Sequence, residues 1–150
     1  MTLKTTLEEK LKDAMRNNLV TARNTIRMVL TSIKLAEVER GKPLEDNEII
    51  AILQKEIKMR KETILEAEKG AREDIIKATQ EEIGVLENYL PKQMSQDEVR
   101  AIIAKIITDV NAVDIKDMGK VMKLAVPEIA GKASNDLISQ TVRAMLAEKK

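Results

Sequence analysis

The residues best suited to bind a ligand are Gly119 and Lys120, within the stretch Asp117–Met122. If Asp117 is the N-cap of a helix, both residues fall in the first turn, where the helix dipole is positive. Glycine and a cation each cost roughly 0.3 to 1 kcal/mol there. Free backbone N–H groups, a small residue and a lysine are typical of an anion-binding site. Three more lysines lie nearby in the sequence and complete a basic region: Lys116, Lys123 and Lys132.

Two Gly-Lys pairs, at 119–120 and 131–132, raise the question of a nucleotide-binding P-loop. That motif needs a glycine five positions before the second pair, where Val126 stands, and a hydroxyl where Ala133 stands. The pattern therefore favours contact with phosphate groups over nucleotide binding. An alternative stays open, in which Gly119 lets a neighbouring helix pack closely and the lysines are only solvated.

A second basic set, formed by Arg23, Arg27 and Lys34, lines one flank of the second predicted helix. Phosphate contact is its functional interpretation. On the next helix, Glu56 and Arg60 fall within the apolar face and lie four residues apart. An antiparallel pairing of the two helices would bring Arg27 close to Glu56. The structural alternative is therefore an ion-pair network that fixes the register of the helices.

The composition excludes much of enzyme chemistry, because the chain has no Cys and no His. Thiolate nucleophiles, cysteine metal sites and the commonest general base are absent. Paired carboxylates lie beside lysines and are predicted to be surface charge. We therefore predict no catalytic residue, no metal and no cofactor. Hydrophobic residues make up 43% and aromatic residues 1%, which favours helices with an aliphatic core.

Apolar residues recur at helical spacing nearly everywhere, and the sequence contains no predicted strand. Pro91 must end a helix, so the pattern predicts a four-helix domain over 1–90 and a three-helix domain over 91–150. One continuous bundle is the alternative. Ser95 starts the fifth helix in a capping box. The sixth runs from about Met118 and should kink or restart at Pro127, and the seventh starts near Ser134.

Net charge is +1, with 16 basic and 17 acidic residues over 1–90 and 10 and 8 over 91–150. Neither half has the strongly basic character of a protein that binds nucleic acid tightly by itself. Any such binding should be local and weak. The charged N-terminus does not resemble a signal peptide, and no apolar run is long enough to span a bilayer, so we expect a cytoplasmic protein without membrane contact.

Several stretches of the chain form one recognisable pattern: Tyr89–Gln93 with Ser95, Asp117–Met122, Gly131–Ala133, Arg23, 26–28, 32–34 and 53–58. Together they resemble the YqeY family, whose domain also forms the C-terminal tail of GatB. The resemblance covers the whole chain. Two departures are Ile33, where alanine is usual, and the turn at 133–136, which is one residue longer than the common form.

The resemblance implies an all-α protein with a four-helix N-terminal part and a small three-helix C-terminal domain, in a bacterial cytoplasm. GatB belongs to the amidotransferase that converts Glu-tRNA(Gln) to Gln-tRNA(Gln), and its tail contacts the tRNA body. The family-level term is carbon-nitrogen ligase with glutamine as amido donor, although nothing in this chain supports that chemistry locally.

Two hypotheses of different kinds follow. The first is a non-catalytic accessory module that binds tRNA weakly through Lys116, Gly119, Lys120, Lys123 and Lys132. The second is a protein interaction module, in which Met118, Met122 and Val126 dock on an amidotransferase subunit or on another copy of the chain.

Overall fold

A computed structural model describes residues 2–148, and all regular secondary structure within that range is helical. The predicted all-α class, with four helices followed by three, is confirmed. A single 3₁₀ turn, Ile115–Asp117, precedes the sixth α-helix. The α-helices are α1 (Leu3–Arg16), α2 (Val20–Arg40), α3 (Asp46–Lys69), α4 (Glu73–Glu87), α5 (Gln96–Asp109), α6 (Met118–Ile129) and α7 (Asn135–Glu148).

The chain divides into two compact units, one ending at Leu90 and the other beginning at Pro91. Proline cannot donate a backbone hydrogen bond and disfavours helix in the residue before it, so the chain leaves α4 just before this point. Each unit has an apolar core of its own.

The N-terminal unit packs α1–α4 around aliphatic side chains. Gly41 ends α2 with φ 74°, a left-handed conformation that glycine adopts without steric cost, and its N–H bonds to Glu37 O. Tyr89 and Leu90 pack against the edge of this core. Its buried members are Leu7, Ile26, Val29, Ile33, Ile49, Leu53, Ile57, Ile83 and Leu86.

One buried cation, Arg60, links α3 to α4. Its Nη1 lies 2.6 Å from Glu56 Oε2, and its Nε lies 3.2 Å from Glu82 Oε1. The predicted approach of Arg27 to Glu56 is wrong, because Arg27 is exposed and pairs with no described residue. Arg60 reaches the same carboxylate from one turn along the same helix. The ion pairs therefore tie α3 to α4, and the same guanidinium reaches α2 through its Nη2, which donates to Met28 Sδ at 3.8 Å.

Glu37 connects three parts of the N-terminal unit. Its Oε1 lies 2.7 Å from Lys4 Nζ on α1, and its Oε2 accepts the backbone N–H of Leu44 at 2.9 Å. These hydrogen bonds, the one from Lys4 first, hold the pKa of Glu37 below its ordinary value. The carboxylate therefore holds α1 and the loop before α3 against α2.

The turn between α3 and α4 shows where the sequence was misleading. Gly70 follows the last residue of α3, a position where glycine is often left-handed, yet its φ is −94°. The left-handed residue is Ala71, at φ 52°. An L-residue with a Cβ costs roughly 1 to 2 kcal/mol in that conformation, so this turn stores strain.

The C-terminal unit packs α5–α7 around a second aliphatic core. The predicted capping box is confirmed, because Ser95 Oγ accepts the Glu98 N–H at 3.1 Å and Ser95 N donates to Glu98 Oε1 at 3.2 Å. Ser134 Oγ caps α7 through Leu137 N–H at 3.1 Å, also as predicted. Helix α6 continues through Pro127 to Ile129, so it does not restart there, and a kink at Pro127 stays a prediction.

Candidate nucleic-acid interface

The start of α6 places Gly119 and Lys120 as its second and third residues, as the sequence predicted. Asp117 occupies the N-cap position but its side chain makes no capping bond. Its Oδ2 instead accepts the Val113 N–H at 2.9 Å. That bond lowers the pKa of Asp117 from its ordinary value, and the charge of Lys120 lowers it further. A carboxylate therefore supports the loop that leads into α6 without covering the first turn of the helix.

Gly119 lies on open surface. A Cβ placed there would have no described heavy atom within 4 Å, apart from its own helix backbone and chain neighbours. Among the described residues of its own unit, no neighbouring helix packs closely against this glycine. What remains is an uncovered stretch of backbone at the positive end of a helix dipole.

Three lysines surround this open surface. Lys120 and Lys123 lie three residues apart on the exposed side of α6, and Lys116 lies one turn earlier, in the 3₁₀ turn. Among residues 2–148, no side-chain hydrogen bond or ion pair occupies any of the three. Asp114 and Asp117 are the nearest opposing charges along the chain, and Asp114 Oδ1 accepts the Lys116 backbone N–H at 2.9 Å.

Lys132 lies away from the other three lysines. Helix α6 rises about 15 Å between Gly119 and Ile129, and Lys132 follows beyond that end. The structure therefore groups Lys116, Lys120 and Lys123 and leaves Lys132 at the opposite end of α6.

The backbone around Lys132 has a structural role that sequence reasoning missed. Gln93 Nε2 donates to Gly131 O at 2.7 Å, and Met94 N donates to Lys132 O at 2.8 Å. Gly131 has φ 78°, a conformation suited to glycine. The first segment of the C-terminal unit is thereby fixed to the turn that follows α6. Gln93 itself is exposed, so the sequence carried no signal of this contact.

The methionines of α6 offer less surface than the sequence suggested. Met118 and Met122 are partly buried and pack against the core of the C-terminal unit. The large apolar side chains that this unit exposes are instead Val113, Ile115 and Leu124. Docking through the methionine face would therefore have to compete with packing in the unit itself.

The second predicted basic set lies on α2, in the N-terminal unit. Arg27 and Lys34 are exposed, whereas Arg23 is partly buried and its Nε donates to Asn24 Oδ1 at 3.3 Å. The three residues span about 16 Å of one helix side. Exposed apolar side chains lie beside them, which distinguishes this surface from the lysine group on α6.

The described residues lack two further features. In residues 2–148, no group of three acidic side chains is placed to hold a metal ion. None of the described helices combines the length and the apolar character needed to cross a bilayer.

These features define a small all-helical protein made of a four-helix and a three-helix unit, with exposed lysines on one short helix. The chain belongs to the Yqey-like protein family, whose sequence pattern matches residues 4–146. The resemblance drawn from the sequence is confirmed.

Three fungal relatives bear the name "Altered inheritance of mitochondria protein 41, mitochondrial". The Kluyveromyces lactis protein is 38% identical over 109 residues, covering 69% of this chain and 57% of the relative. The Lachancea thermotolerans protein is 27% identical over 143 residues, covering 91% of this chain and 76% of the relative. The Pyrenophora tritici-repentis protein is 26% identical over 147 residues, covering 95% of this chain and 80% of the relative.

The relatives' names bear on location and not on chemistry. The names refer to mitochondria and the organisms are fungi, so the comparisons give no support to a bacterial origin or to a cytoplasmic location. The match spans little more than half of the Kluyveromyces lactis protein. What the whole of that protein does is therefore not transferred to this chain.

Proposed function

We propose that this chain is a non-catalytic accessory module that binds tRNA through phosphate groups, in connection with tRNA-dependent amidation. The observation that supports this most is the group of unpaired, exposed lysines around the open first turn of α6. Helix N–H groups and lysine ammonium groups both attract phosphate. The choice of tRNA as the nucleic acid rests on the resemblance to the YqeY family, whose domain forms the tRNA-contacting tail of GatB.

The charges of this surface set the expected strength of binding. Lys116, Lys120 and Lys123 supply three positive charges, which Asp114 and Asp117 partly offset. Contact of three lysines with phosphates predicts a slope of about −2 to −3 for log K against log salt. Residues 90–150 contain no aromatic side chain, so base stacking by this unit is excluded. Recognition should follow the backbone and groove shape of folded RNA.

The test measures the affinity of the full chain for labelled tRNA by fluorescence anisotropy across a salt series. Lys120→Ala and Lys123→Ala together should weaken binding and reduce the salt slope by about 2. Lys105→Ala, an exposed lysine on α5 in the same unit, is the matched control and should leave both quantities unchanged. Unchanged affinity and slope in the double variant, with helicity intact by circular dichroism, would show that these lysines do not contact RNA.

The proposal assigns no reaction to this chain alone. Purified protein given glutamine, ATP and Glu-tRNA(Gln) should form no amide, because the chain has neither histidine nor cysteine for general-base or thiolate chemistry. Amide formation above a buffer control would overturn the accessory role.

The second predicted basic set, Arg23, Arg27 and Lys34, stays a prediction as a phosphate-contacting surface.

A further inference from the structure

Helix α2 exposes large apolar side chains on the side that its own unit does not cover. Met28, Leu35 and Val38 are 52%, 66% and 74% exposed. The opposite side of the same helix packs Val29 and Ile33 fully into the core. Burying a Met, Leu or Val side chain contributes roughly 1.5 to 3 kcal/mol, so three of them exposed on one helix side indicate a surface available for contact.

The spacing on this side is that of a helix-packing seam. Met28, Thr31, Leu35 and Val38 follow one another by three, four and three residues, which is the a and d spacing of a heptad repeat. Thr31 Oγ1 already donates to Arg27 O at 2.9 Å, so the threonine requires no polar partner. We call these four residues the α2 seam. Over about 15 Å, the α2 seam offers the pattern that one helix presents to another lying along it.

The cations beside the α2 seam all lie on one flank, whereas the other flank carries one acidic residue, Glu39. Arg27 and Lys34 each come directly before an a residue of the seam, at the g positions that select partners in paired helices. Both are exposed, and neither pairs with another residue in the described part of the chain. Arg23 lies one turn earlier on the same flank, and residues 20–36 contain no Asp or Glu. A helix that packs here must present carboxylates to this flank.

We propose that the exposed side of α2 binds an acidic amphipathic α-helix of a partner protein. Its apolar residues cover the α2 seam, and its carboxylates lie beside Arg23, Arg27 and Lys34. An RNA backbone could satisfy the cations but offers no apolar surface to the seam. The seam therefore favours a helical peptide over nucleic acid.

A second copy of the chain fits this surface less well. Antiparallel pairing through α2 brings g positions together and sets Arg27 and Lys34 against like charges. Parallel pairing sets Lys34 opposite Glu39 but offers Arg27 only Ser32, because these two residues stand at the facing e positions. An acidic helix satisfies both cations at once.

The probe is a labelled synthetic helical peptide of about 18 residues, with Leu at the a and d positions and Glu at e and g. The comparison peptide has Lys in place of Glu. The full chain should bind the Glu peptide roughly tenfold more tightly than the Lys peptide, measured by fluorescence anisotropy. Arg27→Glu combined with Lys34→Glu should remove that preference, and Leu35→Asp should abolish binding of the Glu peptide.

Matched controls lie elsewhere in the same unit. Lys77→Glu on α4 and Leu65→Asp on α3, both at exposed positions, should leave binding unchanged. Equal binding of the two peptides, or no effect of the Arg27 and Lys34 changes, would overturn the proposal. So would a dimer in analytical ultracentrifugation that Leu35→Asp dissociates, because the seam would then bind a second copy. Binding to tRNA or to phosphatidylglycerol vesicles that is lost in Leu35→Asp would overturn it too.

Discussion

Replacing Gly119 with alanine is expected to stabilise the C-terminal unit. A Cβ at this position meets no described atom within 4 Å, and the residue has helical backbone, so the change adds no clash. Glycine is roughly 0.5 to 1 kcal/mol worse than alanine inside a helix, and the first turn should show the lower value. A gain of about 0.5 kcal/mol corresponds to a rise in Tm of about 2 to 4 °C for a domain of this size. Differential scanning calorimetry of the full chain measures the shift.

Two further variants make this result interpretable. Gly84→Ala, in the interior of α4, also has nothing within 4 Å and should stabilise the N-terminal unit by about 1 kcal/mol. Ser95→Ala removes the cap of α5 and should destabilise the C-terminal unit by about 1 kcal/mol. The melting transition that shifts to lower temperature in this variant is therefore that of the C-terminal unit. Gly119→Ala could instead lower the Tm of the C-terminal unit while Gly84→Ala raises the Tm of the N-terminal unit. In that case the surface beside Gly119 is not open, and the reasoning fails.

Three further predictions concern the N-terminal unit. Arg60→Ala should destabilise it by about 3 kcal/mol in urea unfolding, because Glu56 and Glu82 lose a buried partner; a loss below about 1 kcal/mol would contradict the network. The pKa of Glu37 is lowered in the folded state, so its stabilisation is complete above the unfolded pKa of about 4.3 and is lost as pH falls through the folded pKa. The difference in stability between wild type and Glu37→Gln should therefore shrink only in acid, and a difference that is constant down to about pH 3 would refute this. Ala71→Gly should raise Tm by relieving a left-handed alanine, with an unchanged or lower Tm as the contrary result.

The helices could be predicted because their signals are local. Ser95 and Ser134 each act within four residues of the helix end that they set, and both have the predicted roles. Helix α6 does not restart at Pro127, because a proline in the last turn of a helix removes only one hydrogen bond.

The candidate sites were harder to predict because they depend on which helix sides are covered. Sequence spacing grouped Lys132 with Lys120, yet the length of α6 separates them. Spacing also predicted that Arg27 would lie close to Glu56, although Glu56 pairs with Arg60 of its own helix. The sequence could not predict that the surface around Gly119 is open, because a glycine at a close helix contact would look the same in the sequence. Only the fold distinguishes the two.

Tyr89 gives the protein an unusual optical property. It is the one aromatic residue of the chain, it packs against the N-terminal core, and burial raises its pKa. Near-ultraviolet absorbance and intrinsic fluorescence therefore report on the N-terminal unit, while the C-terminal unit gives no such signal. A tryptophan introduced at an exposed C-terminal position would emit at wavelengths of its own, so the melting of each half could be followed separately in one cuvette.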